Sequence, residues 1–350
     1  MAIRRHCSHT VACCFLALLP IVAIAGEAPP AVQEGLCECK DTLRPLRDPD
    51  PEVNKLLEPY QVAPAPFPWR LKRIGVAERY EVHRLTFPSP TRFDVAECNT
   101  VHAEYYLPRP TPRAAPGMLV LHILDGRFVV ARLVCQSFAK MGVPSLMVQM
   151  PYYGDRRPRN KGLSEIMLEK PERMFQAMQA AVPDFRRAAS WLQKRGEVDP
   201  DRIGVLGVSL GAIAGALLAG VDPRFNRNIF VIGGGDPATI VWHAPETRGV
   251  RRELERIGYT RDTLAESIRG VDPITFAHRI NTRQVMLINA TTDKTIPKAC
   301  TVALWEAMGK PFIRWHAGGH YSMGLYTPLI LSDAYNAITR LPADPSWREK

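Results

Sequence analysis

The chain has 350 residues, 46% of them hydrophobic and 23% charged, with a formal net charge of +10. That length and aliphatic content support a full buried core and exclude a disordered or low-complexity chain. The basic excess shows no Arg-rich helix and no repeat of basic with aromatic residues, so it reads as solubilising charge with no nucleic-acid partner.

At the start, Arg4 and Arg5 precede an apolar run from Val11 to Ala25 that closes on Ala23-Ile24-Ala25. This is the pattern of a secretory signal peptide over 1–25, and it predicts a secreted or periplasmic protein. The run is interrupted by Pro20 and is shorter than the roughly 20 residues that span a bilayer, so no stable membrane span is expected after cleavage. The alternative is a membrane anchor formed by an uncleaved segment. Two of the 45 basic and none of the 35 acidic residues fall in 1–25, which leaves the mature chain at +8. Cys37, Cys39, Cys98, Cys135 and Cys300 remain; an odd number leaves at least one thiol free or joined to another chain. No cluster with metal-ligand spacing stands out.

Residues 26–70 hold nine prolines and little periodicity, and read as an arm that lies over the domain surface or stays mobile. A single folded domain over 71–345 follows. Tyr80 to Phe87 and Val101 to Leu107 read as a strand pair joined by the loop around Cys98. Met118 to Ile123 and Ser145 to Met150 are unbroken apolar runs expected of buried strands, with a helix between them over 128–141. Beyond a loop at 151–171, Phe175 to Arg195 reads as a helix broken or kinked at Pro183. Strands follow at 203–206, 228–232, 285–289 and 312–315, and helices at 298–308 and 324–338. Strands alternating with helices predict an α/β fold, a mostly parallel central sheet with helices on both faces. Residues 237–280 carry a helical pattern with no strand signal. So long an insertion between two strands predicts a helical cap over the site.

Between the 203–206 strand and the small-residue helix after it stands Gly207-Val208-Ser209-Leu210-Gly211. A bare G-x-S-x-G is common by chance, but strand before and helix after make this one a nucleophile elbow. The tight turn exposes the serine hydroxyl, and side chains at 207 and 211 would crowd it. A serine needs a base, and the base an orienting group; a parallel sheet supplies both from loops at its strand carboxyl ends. Asp293 follows the 285–289 strand and His320 follows the last strand, behind Gly318-Gly319. The order Ser209, Asp293, His320 is that of the α/β-hydrolases. Asp236 and His316 compete for the acid and base roles. Asp236 leads into the insertion and His316 sits at the end of a strand, so Asp293 and His320 are preferred.

The DPDRIGVLGVSLG block, the D-x-x-I-P loop at Asp293 and the G-G-H loop at His320 together resemble the α/β-hydrolases of the dienelactone hydrolase and esterase type, over roughly residues 80–340. The resemblance implies an α/β-hydrolase fold and hydrolysis of a carboxylic ester, with no cofactor and no metal. A small-molecule or lipid ester would be the substrate. A lipid deacylase or a peptidase with the same residues is an alternative, as is a silent hydrolase-fold binding module. The family's His-Gly-x-Gly-Gly stands here as His122-Ile123-Leu124-Asp125-Gly126, matching at its first and last positions. By that pattern Leu124 and Leu210 supply the N–H groups of the oxyanion hole. Arg156, Arg157, Arg159 and Lys161 either meet an anionic part of the substrate or form a solvated loop. Cys135 and Cys300 read as packed helix thiols.

Overall fold

Alternating buried and exposed positions before residue 110, and unbroken apolar runs after 115, divide the sheet into two kinds of strand. The computed structural model describes residues 32–40 and 42–340. Strands β1 (Val32–Cys37), β2 (Phe67–Val76), β3 (Tyr80–Pro88) and β4 (Thr100–Pro108) form an antiparallel meander. Strands β5 (Ala115–Leu121), β6 (Ser145–Val148), β7 (Val198–Val208), β8 (Phe225–Val231), β9 (Val285–Ala290) and β10 (Phe312–His316) run parallel to one another. The order is β1-β2-β3-β4-β6-β5-β7-β8-β9-β10, with β4 antiparallel to β6 at the join. This is the α/β-hydrolase fold expected from the sequence.

The helices are α1 (Pro51–Leu57), α2 (Val129–Lys140), α3 (Leu163–Glu169), α4 (Arg173–Gln193), α5 (Leu210–Val221) and α6 (Pro237–His243). After them come α7 (Arg248–Arg256), α8 (Arg261–Ser267), α9 (Pro273–Phe276), α10 (Lys298–Ala307) and α11 (Thr327–Arg340). Helices α2 and α11 touch each other on one side of the sheet, while α4, α5 and α9 pack together on the other. The parallel strands are buried on both faces, which is why Leu119, Val205, Ile229 and Leu287 are fully inaccessible. Pro183 lies inside α4 and the helix continues through it, so of the two outcomes open at this proline the helix is not broken.

Two readings need adjustment, and the reading of 1–25 as a signal peptide lies outside the described residues. Within the described part of 26–70, the chain is no loose arm. β1 and the start of β2 extend the sheet, and α1 with the turn after it buries Leu57 and Tyr60 completely. Pro51 opens α1, and Pro68 is the second residue of β2, ahead of the pairing with β3 that begins at Arg70. The segment is stapled by Arg186 of α4, buried and donating to the Tyr60 carbonyl at 2.6 Å and to Asp222 at 2.9 Å. The loop at 151–171 contains α3, too short to announce itself in sequence.

Residues 237–280 fold as short helices, α6 to α9, but do not all lie at one place. α6 and the turn after it border the cavity described below. α8 packs on α6, whereas α9 packs on α5, where Phe276 is fully buried.

Candidate active site

The carboxyl ends of β5, β7, β9 and β10 each deliver one part of the site. After β7 the chain turns at Ser209 with φ 54° and ψ −117°, a conformation that costs an L-residue on the order of 1–3 kcal/mol. It is held by hydrogen bonds from Ser209 N–H to the Val231 carbonyl (2.9 Å) and from Ala212 N–H to the Ser209 carbonyl (2.8 Å). A Cβ at Gly207 would lie 1.9 Å from the Gly211 carbonyl oxygen, and one at Gly211 would lie 2.2 Å from that of Leu121. Neither position can carry a side chain, so the two glycines of the motif are demanded by the turn itself.

Ser209 Oγ is 2.9 Å from His320 Nε2, and His320 Nδ1 is 2.7 Å from Asp293 Oδ2. A carboxylate at that distance keeps the imidazole proton on Nδ1 and leaves Nε2 to accept from the serine hydroxyl. The other oxygen of Asp293 accepts from the N–H groups of Thr295 and Ile296 at 2.8 and 2.9 Å, so the carboxylate is fixed in the loop after β9. The His320 loop is tied to the same loop: Thr292 N–H donates to the Gly318 carbonyl (2.9 Å). Gly319 N–H donates to Ser322 Oγ (2.9 Å). Both histidine and aspartate side chains are at most 9% exposed, so this chain of contacts is shielded from water.

The competing residues are engaged elsewhere. Asp236 caps α6, accepting from Thr239 N–H at 3.0 Å, and faces Arg261. His316 is stacked on Tyr326 with ring centroids 4.5 Å apart, and burial holds its imidazole below the ordinary range. Sequence placed it at a strand end; the structure adds that it is buried there against Tyr326.

Leu124 and Leu210 both line the cavity at Ser209, and neither backbone N–H makes a hydrogen bond among the described residues. The Leu124 loop is shaped by His122. Its Nδ1–H donates to the Ile123 carbonyl (2.7 Å), and its Nε2 accepts from Met150 N–H (3.1 Å). Total burial pushes this imidazole down to about 4, so it is neutral and keeps both bonds through the whole physiological range. A histidine can thus bridge the ends of β5 and β6 even with Ile123 in place of glycine.

A cavity of about 540 Å³ opens over Ser209. Parallel strands end here and helices begin, so its wall is built from their first two turns: Val134 of α2, Met178 of α4, Ile213 of α5, Ile240 of α6 and Ile330 of α11. At its mouth Glu246 accepts from Tyr321 Oη and, at 3.1 Å, from Thr295 Oγ1. This contact joins the segment after α6 to both the acid and histidine loops. Nothing local in the sequence marks Glu246.

The basic run after β6 does not border the cavity. Arg156 is completely buried and donates to Asp184 of α4 at 2.8 Å, to the Gln149 carbonyl at 3.0 Å and to the Cys98 carbonyl at 2.6 Å. Lys161 pairs with Glu169, and Arg157 and Arg159 lie on the surface. Cys135 and Cys300 are buried, and burial pushes the Cys300 thiol up to about 12, so it is held protonated. Among the described residues no group of three or more His, Cys, Asp or Glu side chains could hold a metal, and no helix is long and apolar enough to cross a membrane.

Comparison with known proteins follows the same lines. Residues 91–234 match the family "alpha/beta hydrolase domain containing 18", and residues 173–324 match the prolyl oligopeptidase family. An uncharacterized protein of Mycobacterium tuberculosis is 26% identical over 226 residues, covering 62% of this chain and 52% of the relative. The chain thus spans about half the length of the curated relatives it matches. An acetyl xylan esterase from Paenibacillus sp. R4 superposes with a TM-score of 0.62 at 16% identity, over 85% of this chain and 98% of that one. Acetyl xylan esterase 1 from Thermoanaerobacterium sp. JW/SL YS485 gives 0.56 at 16% identity over 85% and 98%. A cold-adapted esterase from an Arctic intertidal metagenomic library gives 0.52 at 14% identity over 76% and 97%. Two hydrolase family models thus match along the chain, and the fold beneath them is that of the α/β-hydrolases.

Proposed function

We propose that the protein is a serine hydrolase that cleaves a carboxylic ester. The observation that carries the reading is the contact chain Ser209–His320–Asp293 at the floor of an open cavity. Ser209 Oγ attacks the ester carbonyl while its proton passes to His320 Nε2. The new imidazolium is held by Asp293. The negative carbonyl oxygen is received by the N–H groups of Leu124 and Leu210. The carbon–oxygen bond to the alcohol then breaks, and His320 returns the proton to the departing alkoxide. Water repeats the sequence: its proton goes to His320, its oxygen joins the acyl carbon, and Ser209 leaves and recovers the proton. No cofactor takes part in these steps.

The names of the structural neighbours, esterases, support an ester rather than another acyl derivative. A second reading, hydrolysis of a peptide bond, is supported by the match to the prolyl oligopeptidase family. Matched ester and anilide substrates with one acyl group separate the two. The ester should show a burst of released alcohol equal to the enzyme present, and the anilide little turnover. Turnover of the anilide at a comparable rate would favour the peptidase, and a burst that persists in Ser209→Ala would remove Ser209 from the mechanism. Export forms part of the proposal and is supported by the pattern of residues 1–25 alone. An exported protein that starts at or near Gly26 on N-terminal sequencing would agree with it, and one that starts at Met1 would not.

A further inference from the structure

We infer that the cavity is built for esters of long, apolar carboxylic acids, with the acyl chain lying between the first two turns of α2 and of α4. The inference rests on the serine-hydrolase reading above and adds the substrate class to it.

Composition of the wall comes first. Polar side chains are few along the wall, and apart from Ser209 and His320 most of them already hold a hydrogen bond within the protein. Asp125 accepts from the Arg127 Nε–H at 3.1 Å, and Glu246 is bound by Tyr321 and Thr295. Thr247 and Thr327 donate to the carbonyls of Val241 and Gly324. A sugar or other polyhydroxy group entering here would lose hydrogen bonds to water and find few to replace them along so apolar a wall, at a cost of about 1–3 kcal/mol for each group left unpaired. An alkyl chain would lose nothing and gain about 0.8 kcal/mol for each methylene buried. The size of the cavity points the same way. About 540 Å³ is the volume of a site for a drug-sized ligand, and an acetyl group would leave most of it empty.

Topology then gives the direction. His320 must hand its proton to the departing alcohol oxygen, so the alcohol lies on the side from which His320 comes. In the strand order, β10 with His320 stands on one side of β7, and β5 and β6 stand on the other. With the carbonyl oxygen at Leu124 and Leu210, the acyl chain runs away from β10. That direction leads to the elements that follow β5 and β6: Val130 and Val134 on α2, and Met174, Phe175 and Met178 on α4. The two methionines suit a chain, because unbranched thioether side chains adapt to an occupant of varied length. Ile330 and Leu331 of α11 border the cavity from the element after β10, on the alcohol side.

The test is a series of p-nitrophenyl esters from acetyl to dodecanoyl, assayed on the full-length enzyme below micelle-forming concentrations, beside acetylated xylan. With a common leaving group, kcat/KM should climb by up to about fourfold per methylene, the equivalent of about 0.8 kcal/mol. Octanoyl should exceed acetyl by at least about a hundredfold, and acetylated xylan should be poor. Met178→Trp fills the far end of the chain site and should move the optimum to shorter acids. Met174→Trp, at a more open position, should do the same if the first variant folds poorly by thermal unfolding. Ile330→Trp should leave the acyl profile alone and alter the preference for the alcohol. Labelling of Ser209 by the small reagent diisopropyl fluorophosphate is measured on each protein. A labelled enzyme with a flat or acetyl-preferring profile, or one that prefers acetylated xylan, overturns the acyl-chain site and spares the serine-hydrolase reading. A profile altered by Ile330→Trp and untouched by both methionine variants overturns the direction. A wild-type enzyme neither labelled nor active on any ester overturns the reading beneath.

Discussion

Two buried polar centres lie near the carboxyl edge of the sheet, and they differ in one respect that decides their use. In the first, Ser209, His320 and Asp293 are linked end to end, and Ser209 borders an open cavity. In the second, Arg156, Asp184 and Ser89 are linked as tightly. Asp184 accepts from Arg156 at 2.8 Å and from Ser89 Oγ at 2.6 Å, and Arg156 donates also to two backbone carbonyls, while its Nε–H has no partner among the described residues. Both arginine and aspartate have no accessible surface. Burial outweighs the pull of Arg156 and Ser89 on Asp184 and holds its carboxyl above the usual range. The pair therefore fastens the loop after β6 to α4 and offers nothing to a ligand. A buried constellation becomes a site only when one of its atoms faces space that a substrate can enter.

The sharpest break of this comparison is by substitution on the open side. Ser209→Ala, His320→Ala and Asp293→Asn should each lower kcat by about 10⁴-fold or more while the fold persists by circular dichroism. His316→Ala and Asp236→Asn should keep most of the turnover, since these groups are engaged in a ring stack and a helix cap. A dead Asp236→Asn beside an active Asp293→Asn would exchange their roles.

On the closed side the effect should fall on stability. Arg156→Met leaves Asp184 without its partner and should cost about 3–5 kcal/mol in denaturant unfolding. The fraction that remains folded, counted by active-site titration, should turn over at the wild-type rate. Lost turnover per titrated site would make Arg156 part of the catalytic apparatus after all.

A smaller effect separates catalysis from binding within the open site. Leu124→Pro removes one N–H and should lower kcat about 100- to 1000-fold with little change in KM, provided the protein stays folded. Near-normal turnover in a folded variant would clear Leu124 of the oxyanion role.

The smallest expected effect concerns the strained turn. Ser209→Gly and Ser209→Ala should both be inactive, but glycine accepts φ 54° freely and alanine does not. The glycine variant should be the more stable of the two by roughly 1 kcal/mol. Equal unfolding midpoints would mean that the turn stores no strain.

What could be read from sequence divides along the same line as the two centres. Ser209, Asp293 and His320 each sit within a few residues of a strand's end, and each has a local sign: glycines around the serine, D-x-x-I-P at the acid, Gly318-Gly319 before the histidine. The hydrophobic runs of the parallel strands are equally local. Arg156 gave no such sign, because its partner Asp184 is 28 residues away on another element. A charge run looks the same whether solvent or a distant carboxylate receives it. The N-terminal strands were hidden for a related reason. Leu57 and Tyr60 are buried only because α4 and Gly270 meet them, and β1 follows an alternation too sparse to stand out beside so many prolines. The span of the cap was overdrawn because helical pattern alone does not tell α6, which borders the cavity, from α9, which packs against α5.

The central claim is that Ser209 is a nucleophile activated through His320. It is tested most directly by reacting the protein with a fluorophosphonate and locating the adduct by peptide mass spectrometry. The account predicts one phosphonylated peptide, modified at Ser209, formed at the full rate in His316→Ala and slowed by orders of magnitude in His320→Ala. An adduct on another residue, or labelling of Ser209 that is indifferent to the loss of His320, would contradict it.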